Sequence, residues 1–288
     1  MSPYPEPMLE CVPNVSEGRD GAVLDALARA CGRPLLDRHV DADHHRSVFT
    51  LAGPDATDAV DAVRRLALAV ADRLDIGAHA GVHPRLGALD VVPFVAWHGD
   101  PAITAVDAAR EFAGWIVAEL SVPVFLYDDA DPEQRTLPDA RREAFVQRAP
   151  DVGPAAPHPH LGAVAVGARP PLVAVNCELA RDDVALARRL AHAVRERDGG
   201  LPGVRALGLR LDSVHRAQVS MNLVALDRTS LQEACERVRE LARAAGTEVA
   251  RVELVGLVPA AELARCDPRF LTWAAIGDDQ TIECRLAR

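Results

Sequence analysis

Histidine is the residue through which this sequence could move protons. There are ten, and those at 39, 44, 45, 79, 83, 158 and 160 fall in three predicted loops. The sharpest run is H-A-G-V-H-P-R-L-G-A-L-D, His79 to Asp90. An unperturbed imidazole titrates near ~6.5, so a histidine held in a cleft can act as a base and then as an acid at neutral pH. Arg85 follows closely with a guanidinium fork that fits a carboxylate. Glycines at 77, 81 and 87 permit close backbone approach to a ligand, and Pro84 fixes the chain just after His83. The competing reading is a turn whose histidines only hydrogen-bond backbone.

Two further clusters carry the same residue types. D-A-D-H-H-R-S, Asp41 to Ser47, supplies carboxylates and imidazoles, the ligand types of a zinc-like ion if combined with His79 and His83. Its spacing matches no HExxH motif, Gly81 and Pro84 argue against a shared helical face, and no metal is predicted. G-P-A-A-P-H-P-H-L-G, Gly153 to Gly162, is stiffened by prolines; it reads as an inter-domain linker or as a loop that clamps a ligand. The opening P-N-V-S-E-G-R, Pro13 to Arg19, leaves a strand and enters a helix, where backbone N–H groups favour an anion. No P-loop or GxGxxG fingerprint occurs.

These loops must be held by regular elements, and the chain supplies them twice. The first half reads as a strand at 9–12, a helix capped by Asp20, strands at 35–37 and 47–53, a strongly periodic helix at 55–74 and a strand at 89–96. Pro93 in that last strand implies an edge or a bulge. An extra helix (102–120) and strand (123–130) follow. Residues 131–163, rich in proline, read as a surface excursion and then an extended loop crossing between two halves. The pattern restarts with a strand at 172–179, a helix at 182–196, strands at 205–212 and 217–224, a helix from Ser230 to Ala245 and a strand at 248–258. A short helical tail follows from about residue 262. Each half has the order β-α-β-β-α-β, so the expected fold is α+β: two ferredoxin-like subdomains, residues 1–166 and 167–288, with helices packed on antiparallel sheets.

Composition narrows the partners. At 288 residues the chain is long enough for about two domains. It holds 32 Lys+Arg, every one an arginine, against 42 Asp+Glu, a net charge of −10. That balance, without a basic run, disfavours nucleic acid. No apolar run approaches the ~20 residues of a membrane span, and the N-terminus lacks the pattern of a signal peptide. Six scattered cysteines without a CxxC read as reduced thiols, several of them buried, in a cytoplasmic protein.

Taken in order, ECVPNVSEGR at 10–19, LLD at 35–37, DADHHRSVFTLAG at 41–53, GVHPRLGALDVVPF at 81–94, VPVFLY at 122–127, PDVGP at 150–154, LGAVAVGAR at 161–169, QVSMNL at 218–223 and ELVGLVP at 253–259 resemble the glutamate formimidoyltransferase (formiminotransferase) family over nearly the whole chain. The resemblance implies two ferredoxin-like subdomains with the substrate groove between them. It implies transfer of the formimidoyl group from N-formimidoyl-L-glutamate to tetrahydrofolate, a co-substrate, giving 5-formimidoyltetrahydrofolate and L-glutamate. The family's catalytic histidine falls on His83. Its folate-binding loop falls on Gly153, Pro154, Ala155, Ala156, Pro157, His158, Pro159, His160, Leu161 and Gly162. Asn14, Arg46 and Arg85 are weaker candidates for polar contacts with substrate. A homodimer in histidine catabolism is implied as well, as is a monofunctional enzyme, since the cyclodeaminase domain of the animal proteins has no counterpart here.

The sequence also departs from the family. Where the family has a KHKGEHPR-like run, this chain reads AHAGVHPR, with Ala78, Ala80 and Val82 in place of charges. In the DxDHNRS-like loop, His45 stands for the asparagine. These changes leave a paralogue acting on a different amine as the main alternative. A metal-dependent hydrolase built on the His/Asp loops, or a folate-binding module without activity, would be further ones.

Overall fold

The computed structural model describes residues 8–78, 85–97 and 101–288, without the side chains of residues 56, 78 and 101–104. The chain divides into two compact units, Met1–Pro170 and Pro171–Arg288.

In the first unit the elements run β1 (Leu9–Cys11), β2 (Asn14–Val15), α1 (Gly21–Cys31), β3 (Leu35–Asp41), β4 (Arg46–Ala52), α2 (Ala56–Arg73), β5 (Leu89–Ala96), α3 (Pro101–Leu120), β6 (Val124–Asp128), α4 (Leu137–Glu143) and β7 (Val164–Ala168). β1 and β2 are two pieces of one strand line, both lying antiparallel between β4 and β5. With β3 beside β4, this gives the interleaved order β3-β4-β1/β2-β5 of a βαββαβ repeat. Pro93 is therefore interior and not at an edge. It is tolerated because it lies opposite the Val12–Pro13 break, where its carbonyl accepts the Val12 N–H at 3.1 Å and its own missing N–H costs no ladder bond.

Apolar spacing explains which side of this sheet the helices cover. In α2, Ala59, Val63, Leu66 and Val70 recur at helical intervals, and α3 repeats this with Ala105, Ala109, Phe112 and Ile116. They bury against Phe49, Leu51, Val92 and Phe94. Asp20 caps α1 as expected, its Oδ1 accepting the N–H groups of Ala22 and Val23.

The 131–163 segment does not cross between halves. It contains α4, and its end feeds β7, which lies parallel to both β5 and β6 inside the first sheet. The sheet is thus mixed and not purely antiparallel, and the division between units falls beyond the expected 166/167 junction because β7 belongs to this sheet. α4 covers the opposite sheet face from α1–α3: Ala140 packs with Val91, Tyr127 and Ala165, residues that alternate with those facing the main core.

The second unit carries β8 (Val173–Leu179), α5 (Val184–Val194), β9 (Val204–Leu211), β10 (Arg216–Leu223), α6 (Leu231–Ala244) and β11 (Val249–Val255). Its sheet order β11-β8-β10-β9 is antiparallel throughout, again a βαββαβ repeat. Leu186, Leu190 and Val194 of α5 and Leu231, Cys235 and Val238 of α6 fill its core with Val175, Val219 and Met221. Ser230 caps α6 by accepting the Glu233 N–H at 3.2 Å. A tail of α7 (Ala260–Leu263), α8 (Pro268–Ala274) and α9 (Ile282–Leu286) closes the core with Leu263 and Phe270. Among the described residues no helix is long and apolar enough to cross a membrane.

Candidate functional site

The polar residues of the first unit gather where β2 leads into α1, where β3 turns into β4, and on the approach to β5. His79, His83, Ala80 and Val82 lie outside the described residues, and Ala78 is described by backbone alone. Both flanks of that segment are described, and both are tied to one loop.

Residues 153–162 close on themselves: the His158 and Gly162 N–H groups donate to each other's carbonyls at 2.8 and 2.9 Å. His158 Nδ1 accepts the N–H groups of His160 and Leu161 at 3.2 and 3.0 Å. On one flank the carbonyl of His160 accepts the Ile76 N–H at 2.7 Å, and His160 Nδ1 meets Asp75 Oδ2 at 2.8 Å. On the other, Ala88 N–H donates to Leu161 O and Ala163 N–H to Leu86 O, both at 3.0 Å. Gly87 and Gly162 touch here. A Cβ on Gly87 would sit 2.3 Å from the carbonyls of Leu161 and Ala163, and Gly162 adopts φ +71. Pro154, Ala155, Ala156, Pro157 and Pro159 are exposed, whereas Leu161 is buried in the main core. The described residues on either side of 79–84, Ile76 before and Leu86 to Ala88 after, are thus each hydrogen-bonded to the end of the 153–162 loop and Ala163, far away in sequence.

The turn before α1 does not hold the external anion expected of it. Glu17, itself nearly buried, accepts the N–H groups of Gly18, Arg19 and Asp20 at 2.8, 2.7 and 3.0 Å. A carboxylate from the chain itself thus occupies the helix entrance. Gly18 N–H also donates to His45 Nδ1 at 3.1 Å, so the neutral ring carries its proton on Nε2. His45 sits at φ +50, a left-handed position where asparagine is the easier residue.

Asp41 and His44 form a tight pair, Oδ2 to Nδ1 at 2.5 Å, and Asp41 Oδ1 accepts the His44 N–H at 2.8 Å. Burial would raise the Asp41 carboxyl, but the His44 hydrogen bonds and the charges of His44 and Arg46 outweigh it and bring the pKa down to about 2. Among the described residues, no group of three or more His, Cys, Asp and Glu is arranged to hold a metal ion.

Arg46 and Arg85 come together. Arg85 reaches the β3–β4 turn, donating to the carbonyls of His44 and His45 at 3.2 and 3.4 Å. Burial lowers the pKa of both guanidiniums, and each also feels Asp90 and Arg141. Asp90 is buried; its Oδ1 accepts the Leu86 N–H at 2.7 Å and its Oδ2 pairs with Arg141 of α4. Asn14 spends one amide N–H on the Val12 carbonyl, and its strand lies between Val48 and Val91. Sequence reasoning did not single out Glu17, Asp41, His44, Asp90 or Arg141. Glu17, Asp41, His44 and Asp90 stood inside the quoted runs, whereas Arg141 had no local signal.

An open cleft of about 580 Å³ lies outside this cluster, between the C-terminal ends of α2 and α3 and the 153–162 loop. Asp72, Asp75 and Glu119 line it together with Arg73, His158 and His160, so its carboxylates outnumber its one guanidinium.

Two family models cover this chain. The formiminotransferase domain, N-terminal subdomain, matches residues 8–169, and the formiminotransferase domain matches 174–280. The chain belongs to the formiminotransferase family. It is 38% identical to a glutamate formimidoyltransferase of Streptococcus pyogenes serotype M1, over 89% of this chain and 90% of that one. A second glutamate formimidoyltransferase, from Thermoplasma acidophilum, is 36% identical over 88% of each. The formimidoyltransferase-cyclodeaminase of Mus musculus is 35% identical over 88% of this chain, which matches only 50% of that longer protein. The family's two subdomain models thus fall on the two repeats of the fold.

Proposed function

We propose that this protein is a glutamate formimidoyltransferase, moving the formimidoyl group of N-formimidoyl-L-glutamate to N5 of tetrahydrofolate. The observation that carries this reading is the full-length similarity to relatives of that name. The hydrogen bonds that Ile76 and Ala88 donate to the 153–162 loop support it, because these two residues flank, in sequence, the segment bearing the proposed base.

In the reaction, N5 attacks the electrophilic formimidoyl carbon. The new C–N5 bond forms, the C–N bond to glutamate breaks, and N5 loses the proton that the departing glutamate nitrogen gains. His83 is proposed to take that proton as base and return it as acid. Gly153 to Gly162 would hold the folate, and Arg46 and Arg85 would face substrate carboxylates. Asn14 would add a polar contact. Gathering the two amines in attack geometry supplies several kcal/mol of the rate enhancement. Arg46 and Arg85 would supply positive partners for these carboxylates in a chain whose net charge is −10. A cytoplasmic homodimer completes the reading.

The test is release of glutamate from N-formimidoyl-L-glutamate by purified protein, with and without tetrahydrofolate. Release that requires tetrahydrofolate supports the reading. Release without it would point to a hydrolase. Tetrahydrofolate binding without release would favour transfer to or from a different amine, the reading that Ala78, Ala80 and Val82 beside His83 keep open.

A further inference from the structure

We infer that Arg141 acts with Arg46 and Arg85 as a carboxylate-recognising group that makes the enzyme select a dicarboxylate amine as the group donor. This rests on the proposed transfer reaction and goes beyond it, since it names a specificity residue and places it outside the repeated fold.

Arg141 belongs to α4, part of the extension to the first βαββαβ repeat, and reaches the cluster from the sheet face opposite α1–α3. One end of its guanidinium is fixed on Asp90, whose other oxygen holds the Leu86 N–H at 2.7 Å. Asp90 therefore ties α4 to the chain that carries Arg85. The Arg141 side chain is 19% exposed. Its Nε is buried and has no hydrogen-bond partner among the described residues. A buried guanidinium N–H without an acceptor is costly unless a ligand or water supplies one.

The neighbourhood points to an anion. Burial is the main influence lowering the pKa of Arg46 and Arg85; Asp41 and Asp90 oppose it at Arg46 and Asp90 opposes it at Arg85, while the like charge of Arg141 adds to the lowering at both. An arriving carboxylate would relieve that repulsion and accept from a planar fork, the geometry for which arginine is suited. Both substrates of the proposed reaction carry carboxylates, so the test separates donor from folate.

Glutarate, a dicarboxylate without the amine, serves as the probe, with butyrate as its monocarboxylate counterpart. Binding is measured by calorimetry on the full chain, and KM for each substrate by glutamate release. Wild-type protein should bind glutarate more tightly than butyrate. Arg141→Met should lose at least about ten-fold in glutarate affinity, the scale of one charge-assisted hydrogen bond, with little change for butyrate. Its KM for the donor should rise by a similar factor while KM for tetrahydrofolate stays put. Arg141→Lys retains the charge against Asp90 but not the fork. It keeps the test alive if the Met variant fails to fold, and it should show a smaller loss of the same selective kind. Unchanged glutarate affinity in a folded variant, equal wild-type affinity for glutarate and butyrate, or an equal rise in both KM values would overturn the inference. Absence of turnover in wild-type protein would instead defeat the proposed reaction, and the glutarate arm would still decide the role of Arg141.

Discussion

Asp41 keeps its charge well into acid, and that has a measurable cost when it is lost. Its carboxyl is held at about 2 in the folded chain, against 3.8 ordinarily. Between about pH 4 and pH 2 the unfolded chain therefore binds the proton more readily. The stabilisation is complete above pH 4 and disappears as pH falls through 2, and it amounts to about 2 kcal/mol. Asp41→Asn should be less stable than wild type by roughly that amount at pH 7, and its urea midpoint should change less between pH 4 and pH 2. Equal pH dependence of the two proteins would remove the His44 pairing from the account. At this scale the sequence was only partly legible. Arg85 was readable as a carboxylate fork and Arg46 only as a weaker candidate for a polar contact, and nothing in the sequence showed that the two lie near one another. Arg141 was not readable, because its partner Asp90 lies 51 positions away and nothing local marks the contact. The helix entrance at Glu17 reads as an anion site until the three-dimensional course of the side chain shows that the anion is internal.

Elements read well wherever periodicity and punctuation agree. α2 and α6 are bracketed by capping residues and carry clean apolar stripes, and both βαββαβ repeats follow from such segments. β7 fails those criteria. Its sequence VAVGA is short, made of small residues and preceded by a proline run, and it becomes a strand because β5 and β6 pair with it from both sides. α4 is a seven-residue helix inside a charged, proline-rich stretch, and its stability comes from packing on the sheet. The contact between the 153–162 loop and the approach to β5 is the element-scale feature on which the proposed folate site rests. Gly87→Ala places a methyl group 2.3 Å from two carbonyl oxygens and must force the two segments apart. We expect a loss of about 1–3 kcal/mol, a lower Tm, and a tetrahydrofolate affinity that falls more than the donor affinity. Thermal unfolding and binding of each substrate check this; an alanine variant with wild-type folate affinity would uncouple the loop from that segment.

For the whole molecule, two repeats with separate cores explain how a chain with only 4% aromatic residues folds: small and branched side chains fill two thin layers, each between a sheet and its helices. Thiols are part of that filling. Cys11, Cys31, Cys177, Cys235 and Cys266 are free and buried, and burial pushes Cys31 up to about 12. Cys284 alone is half-buried. A thiol reagent should therefore modify one cysteine rapidly in native protein and all six in denaturant; rapid modification of several native thiols would contradict the packing of both cores. The central claim, formimidoyl transfer with His83 as the proton carrier, is tested most directly by comparing wild type with His83→Ala. Glutamate release from N-formimidoyl-L-glutamate in the presence of tetrahydrofolate would be followed beside tetrahydrofolate binding. The account predicts turnover by wild type, a loss of about a hundred-fold or more in the variant, and folate affinity within a few-fold of wild type. A variant that binds folate and retains most of the rate would contradict it.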